Sequence, residues 1–99
     1  MELKSVKENN ELTVQVCGRI DAKTAPQLLA YLEENIADIE TLVLDFSDVV
    51  YISSAGLRVI LVVQTKLEEQ AGTMVIRNCS PEISSIFKIT GFDSFLTLE

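Results

Sequence analysis

Residues Thr41 to Phe46 form a near-continuous apolar run, broken only by Asp45. Such a run suits a central strand covered on both faces. It leads through Ser47-Asp48, which reads as a turn, and through Val49-Val50-Tyr51-Ile52 to a junction of small residues, Ser53-Ser54-Ala55-Gly56. A strongly apolar helical pattern follows from Leu57 to Leu67. Leu57, Ile60, Leu61, Gln64 and Leu67 mark one stripe, and Val59, Val62 and Val63 widen it. A helix apolar over most of its circumference is sandwiched or forms part of a contact surface. The chain must therefore hold a buried strand, a tight junction and a largely buried helix in direct succession.

The junction is the candidate site. Ser54 is placed to be an N-cap, its hydroxyl accepting from the N–H of Gly56 or Leu57. The first N–H groups of a helix lack intrahelical partners and lie at the positive end of its dipole. An added anion, such as a phosphate on a serine, is tolerated there. Ala55 and Gly56 leave room for one. On local chemistry alone a plain helix cap is the more usual role of such a serine.

The flanks set the fold class. Residues 2–8 and 11–18 read as two strands joined at Asn9-Asn10, since asparagine tolerates the left-handed conformation of a short hairpin turn. Leu12, Val14 and Val16 alternate with Thr13, Gln15 and Cys17, which predicts one buried face. Alternation in the first strand is poor. Gly18-Arg19-Ile20-Asp21 ends the hairpin. Thr24-Ala25-Pro26-Gln27 reads as a capping box with proline in the first turn. Ala25, Leu28, Leu29, Leu32 and Ile36 then recur at helical spacing. Gly72 reads as the C′ residue of the central helix. Thr73 to Arg77 is a further strand, Ser80-Pro81-Glu82 starts a third helix ending at Gly91, and Phe95 to Leu98 makes a last strand. The order β-β-α-β-α-β-α-β predicts an α/β domain spanning residues 1–99, with a mixed, mostly parallel sheet packed with helices.

Composition removes several functions. The 99 residues carry a net charge of −7, and the basic residues are scattered. This argues against nucleic acid as the main partner. No apolar run reaches the ~18 residues needed to cross a bilayer. The charged start, Met1-Glu2-Leu3-Lys4, does not resemble a secretion signal, so no membrane insertion and a cytoplasmic setting are expected. There is no histidine, which removes Ser-His and Cys-His catalysis. Cys17 and Cys79 lie far apart and are expected as free thiols. Two thiols and carboxylates make a poor zinc set, so neither metal nor cofactor is expected. An enzyme using Ser54 as nucleophile would need a lysine or carboxylate base, and no lysine has motif spacing to it.

The run Leu44-Asp45-Phe46-Ser47-Asp48-Val49, followed by Tyr51-Ile52-Ser53-Ser54-Ala55-Gly56-Leu57, resembles the signature of STAS domains, and more closely that of bacterial anti-sigma factor antagonists. Gly18-Arg19-Ile20-Asp21 resembles the family's ending of the second strand, and the element order agrees along essentially the whole chain. The resemblance implies a binding module, not an enzyme. The unmodified antagonist binds an anti-sigma factor that is itself an ATP-dependent serine kinase, and so frees the sigma factor. The kinase then phosphorylates one serine and the complex separates; a serine phosphatase restores it. That serine matches Ser54, with Ser53 as a rival. The surrounding surface is expected to involve Asp21, Ser53, Ala55, Gly56, Leu57 and Arg58, with Asp45 orienting the Ser54 loop. Two positions depart from the family pattern: Ser53 stands where many members have an acid, and Ala55 where many have serine or threonine. The alternative is a STAS subunit that scaffolds a transport or signalling complex without phosphorylation.

Overall fold

A computed structural model describes all residues from Met1 to Glu99. The elements are β1 (Glu2–Glu8), β2 (Glu11–Ile20), α1 (Ala25–Asn35), β3 (Thr41–Ile52), α2 (Ser54–Glu69), β4 (Thr73–Arg77), α3 (Pro81–Thr90) and β5 (Thr97–Leu98), with a 3-10 turn at Phe92–Ser94 before β5. They form one five-stranded sheet in the order β1-β2-β3-β4-β5. β1 and β2 are antiparallel, and the other neighbours are parallel. This is the expected α/β order. Asn9 takes the left-handed conformation at φ 56° in the hairpin turn. No helix is long and apolar enough to cross a membrane.

All three helices contribute to one apolar core. It joins Leu12, Val14 and Val16 of β2, Leu42, Leu44 and Phe46 of β3, and Met74 and Ile76 of β4 to the inner faces of the helices. These strand residues alternate, so the sheet has one covered face, as period-two patterning requires. Burying each large side chain stabilises the fold by about 1.5–3 kcal/mol. Stacked rings of Phe46 and Phe87, 6.5 Å apart, fasten α3 to the sheet. The second face carries Thr13, Gln15, Asp45 and Arg77 in the same rows. The central strand is thus covered on one face, although Val43 is itself buried.

The stretch Ser47-Asp48 is not a turn. β3 runs through it without a break to Ile52. Pairing with β2 slips between Gln15 and Cys17, where Asp45 and Asp48 are the partners, and again between Gly18 and Arg19, where Val49 and Tyr51 are. Each slip is a bulge that inserts one residue into β3. Two successive polar residues therefore fit within an extended strand. The bulges also change the inward spacing: Phe46, Val49 and Ile52 are all buried. Beside the second slip Gly18 has φ +110°, a conformation open to glycine.

Two helix boundaries and the last strand differ from expectation. Thr24 forms no side-chain cap, and the predicted box with Gln27 is absent. Asp21 takes that role: its carboxylate accepts from the N–H of Lys23 (3.0 Å) and Thr24 (3.1 Å), while the Thr24 hydroxyl donates to the Arg19 carbonyl (2.8 Å). At the end of α2, Ala71 and not Gly72 holds the left-handed C′ position, at φ 58°. The N–H of Ala71 bonds to Glu68 and that of Gly72 to Leu67, the double closure of a Schellman motif. Gly72 serves close packing, since a Cβ there would lie 3.1 Å from the Glu40 carbonyl oxygen. The last strand spans only Thr97–Leu98, because residues 92–94 coil into the 3-10 turn.

Candidate functional site

The site forms where β2 and β3 end side by side. The Ser53 N–H donates to the Ile20 carbonyl at 2.8 Å, which carries the sheet ladder to the first residue of the junction. Ser53 is consequently still extended (φ −96°, ψ 177°) and is the N-cap residue; Ser54 is the first residue of the helix. The expected cap by Ser54 is therefore corrected. Ser53 makes no side-chain cap either, and its hydroxyl is buried without a hydrogen-bond partner. Ser54 is exposed.

The first bond inside α2 runs from the Leu57 N–H to the Ser53 carbonyl, at 3.0 Å. The N–H groups of Ser54, Ala55 and Gly56 precede it and lack intrahelical partners. There is no acidic residue in the first turn. The dipole's positive end is thus uncompensated within the helix. Arg58 is exposed and has no ion-pair partner. It lies four residues after Ser54, on the same side of the helix one turn on.

Gly56 explains how α2 approaches so closely. A Cβ at this position would lie 2.6 Å from Ile20 Cγ2 and 2.7 Å from Ile52 Cγ1. The helix backbone therefore presses directly on the two strand ends. Gly56 and Leu57, expected on the contact surface, are buried and support the site from below. Ala55 and Arg58 do reach the surface. Together with Ala22, Ala25, Pro26, Leu29, Val59 and Val62 they line an open, mainly apolar groove of about 280 Å³ between α1 and α2. An ion pair between Lys66 and Glu33, at 3.2 Å, links the same two helices further along.

Asp21 stands beside the junction but is engaged in the turn before α1. The Thr24 backbone N–H, then that of Lys23, and the Arg19 guanidinium hold its carboxyl below the ordinary value. Arg19 lies 3.7 Å from this carboxylate and also stacks over the Tyr51 ring, 4.3 Å from its centroid. The bulged Val50 is 72% exposed next to it. Asp45 does not orient the Ser54 loop. It accepts from the Ser47 N–H at 3.0 Å and from Asn78 at 3.3 Å. The Ser47 N–H is the main reason its carboxyl is held below the ordinary value, so Asp45 braces the first bulge.

Ala22, Pro26, Leu29, Arg19, Val50 and Tyr51 were not among the expected site residues. The helix-one members form the flank of an apolar stripe, which reads as core until α2 is known to lie alongside. Burial raises the thiol of Cys79 to about 11. No cluster of carboxylates and thiols has the placement to hold a metal ion.

The model of the STAS domain family matches residues 2–99. The chain belongs to the STAS domain family. Within it, the chain is similar to the anti-sigma factor antagonists. It is 36% identical to BtrV of Bordetella bronchiseptica, assigned to that group, over 93% of this chain and 80% of that protein. It is 32% identical to the anti-sigma-B factor antagonist of Bacillus subtilis, over 94% of this chain and 86% of that one. The fold is that of the anti-sigma factor antagonist SpoIIAA. In its unphosphorylated form SpoIIAA superposes with a TM-score of 0.79 at 18% identity, over 99% of this chain and 87% of that one. In its phosphorylated form the TM-score is 0.77 at 19% identity, over 99% and 91%. This STAS domain therefore pairs a family fold with an uncapped, cation-flanked serine at the start of α2.

Proposed function

We propose that this STAS domain is an anti-sigma factor antagonist that works by partner switching, with Ser54 as the switch. Its unmodified form binds an anti-sigma factor with serine kinase activity and so releases a sigma factor. Phosphorylation of Ser54 ends the binding, and a serine phosphatase renews it. The chain is the kinase's substrate and has no turnover of its own. The observation that carries this reading is the start of α2: an exposed serine, free N–H groups and an unpaired arginine meet at one end of an apolar groove. Ser53 is the weaker acceptor because its hydroxyl is buried. The relatives named as antagonists, and SpoIIAA solved with and without phosphate, support the same reading.

The physics of the switch is local. A phosphate on Ser54 adds about −1.5 to −2 charge. Within the domain it meets the helix dipole and Arg58, so the fold accepts it. Against a partner seated on the groove it adds desolvation and displaces Arg58 from any intermolecular pairing. A coupling of about 1–3 kcal/mol changes affinity roughly 5- to 150-fold, so no refolding is needed.

A quantitative pull-down from source-cell lysate, with wild type, Ser54→Ala and Ser54→Asp as baits, tests this. An ATP-binding kinase-like protein held by the first two and lost by the third is the expected result. Equal recovery on all three baits would leave Ser54 a helix starter only, and the scaffolding role would replace the switch.

A further inference from the structure

The two edges of the sheet differ. β5 is two residues long, too short to be a pairing template. β1 is seven residues long and exposed throughout except at the half-buried Leu3. Its only strand neighbour is β2. Glu8 and Glu11 oppose each other across the two-residue loop, which makes them a hydrogen-bonded pair. By alternation Glu2, Lys4, Val6 and Glu8 turn their N–H and C=O toward β2. Leu3, Ser5 and Lys7 turn theirs to the open side. Lys4 and Val6 stand on the uncovered sheet face, opposite Gln15 and Thr13. Val6 is 69% exposed.

We propose that β1 is a homodimer edge: it pairs antiparallel with β1 of a second copy, about a two-fold axis normal to the sheet that passes midway between the two Val6 residues. Such an axis preserves the two faces, so only registers centred on a residue are allowed. Centred on Lys4 or Lys7, a lysine meets its own copy. Centred on Ser5, Glu2 faces Glu8. Like charges directly opposite are unfavourable. Centred on Leu3, unlike charges meet, but the register leaves Val6 in water and strands the hairpin end without a partner. Centred on Val6, Lys4 faces Glu8 of the second copy twice over, and the two exposed valines meet at a close non-hydrogen-bonded pair. Ser5 and Lys7 then face each other and exchange their outward N–H and C=O groups. The occupant is a second copy because the charge pattern of this strand complements itself. Lys4, which would ordinarily protect the edge, finds a glutamate here, while Lys7 is paired within its own chain with Asp38 at 3.1 Å. The site at Ser54 contributes nothing to this contact.

Sedimentation equilibrium from micromolar to millimolar concentration tests the proposal. Wild type is expected to dimerise reversibly. Lys4→Glu alone and Glu8→Lys alone each spoil two symmetric pairs and raise the dissociation constant about tenfold. The double variant restores opposite charges and returns it to within about threefold of wild type. Glu8→Lys has no such effect in the Leu3-centred register. A wild type that stays monomeric at millimolar concentration overturns the proposal, as does a double variant no better than the singles. As a second measurement, Val6→Cys with oxidised glutathione is expected to give a covalent dimer through position 6, mapped by peptide mass spectrometry, since such a pair has Cα atoms about 4.5 Å apart. Cross-linking of Lys4→Cys to the same extent would overturn the register.

Discussion

Two helices of this domain begin with serine, and they begin differently. At α3 the start is closed. The Ser80 hydroxyl accepts from the Ile83 N–H at 3.2 Å, Pro81 opens the helix, and Glu82 sits in the first turn against the dipole. At α2 the start is open. Ser53 is held in the sheet by the Ile20 carbonyl, its hydroxyl is buried without a partner, and no acid follows. The first side chain of α2 that reaches water is Ser54, and the next charge is Arg58. A serine near a helix start is therefore a cap or an exposed, uncommitted hydroxyl according to what holds the residue before it. In α3 the serine stabilises structure. In α2 the sheet takes the cap position, and the following hydroxyl is left to solvent at the positive end of the dipole.

The contrast can be broken most sharply at Gly56. Gly56→Ala improves helix propensity by up to about 1 kcal/mol. It also drives a methyl into Ile20 and Ile52 at less than 3 Å, and overpacking of this kind costs about 1–3 kcal/mol. Overpacking prevails because the obstructing groups are buried on both sides. Urea unfolding is expected to show a lower midpoint, and the exposed junction to shift in amide NMR spectra. A midpoint equal to or above wild type would mean that the close approach of α2 does not form the site.

The next effect sharpens the comparison itself. Ser80→Ala removes a formed cap and should lower stability by about 1 kcal/mol. Ser54→Ala removes a hydroxyl that caps nothing and should stay within about 0.5 kcal/mol of wild type. Parallel thermal or urea unfolding of the two variants measures the difference directly. Equal losses would show that Ser54 is a structural cap after all.

The same contrast marks what could be read from the sequence. The start of α3 was legible because Ser80, Pro81 and Glu82 are all local signals, and Gly91 closes it at φ 80° as its position suggests. The covered face of β2 was legible from strict alternation. The bulges of β3 were not. They are a relation between two strands, and Ser47-Asp48 looks like any polar turn until β2 is seen to slip past it. The residue that starts α2 is hidden for the same reason: only the bond from the Ser53 N–H to the Ile20 carbonyl makes Ser53, not Ser54, the N-cap. Gly56 and Leu57 read as surface because they belong to the family motif, but both are buried, Gly56 against the strand ends. The flank of α1 became part of the site only through the position of α2. Local propensity favours Gly72 for the left-handed C′ position, but Ala71 takes it at φ 58°, because close packing against the Glu40 carbonyl uses the glycine.

The measurement that tests the central claim most directly is phosphosite mapping. The protein would be incubated with ATP and the kinase-like partner recovered from its own cells, then analysed by peptide mass spectrometry. One phosphate on Ser54, with none on Ser53 or Ser80, is the predicted result. Phosphate on Ser53 or Ser80, or no phosphate at all while the partner phosphorylates another substrate, would contradict it.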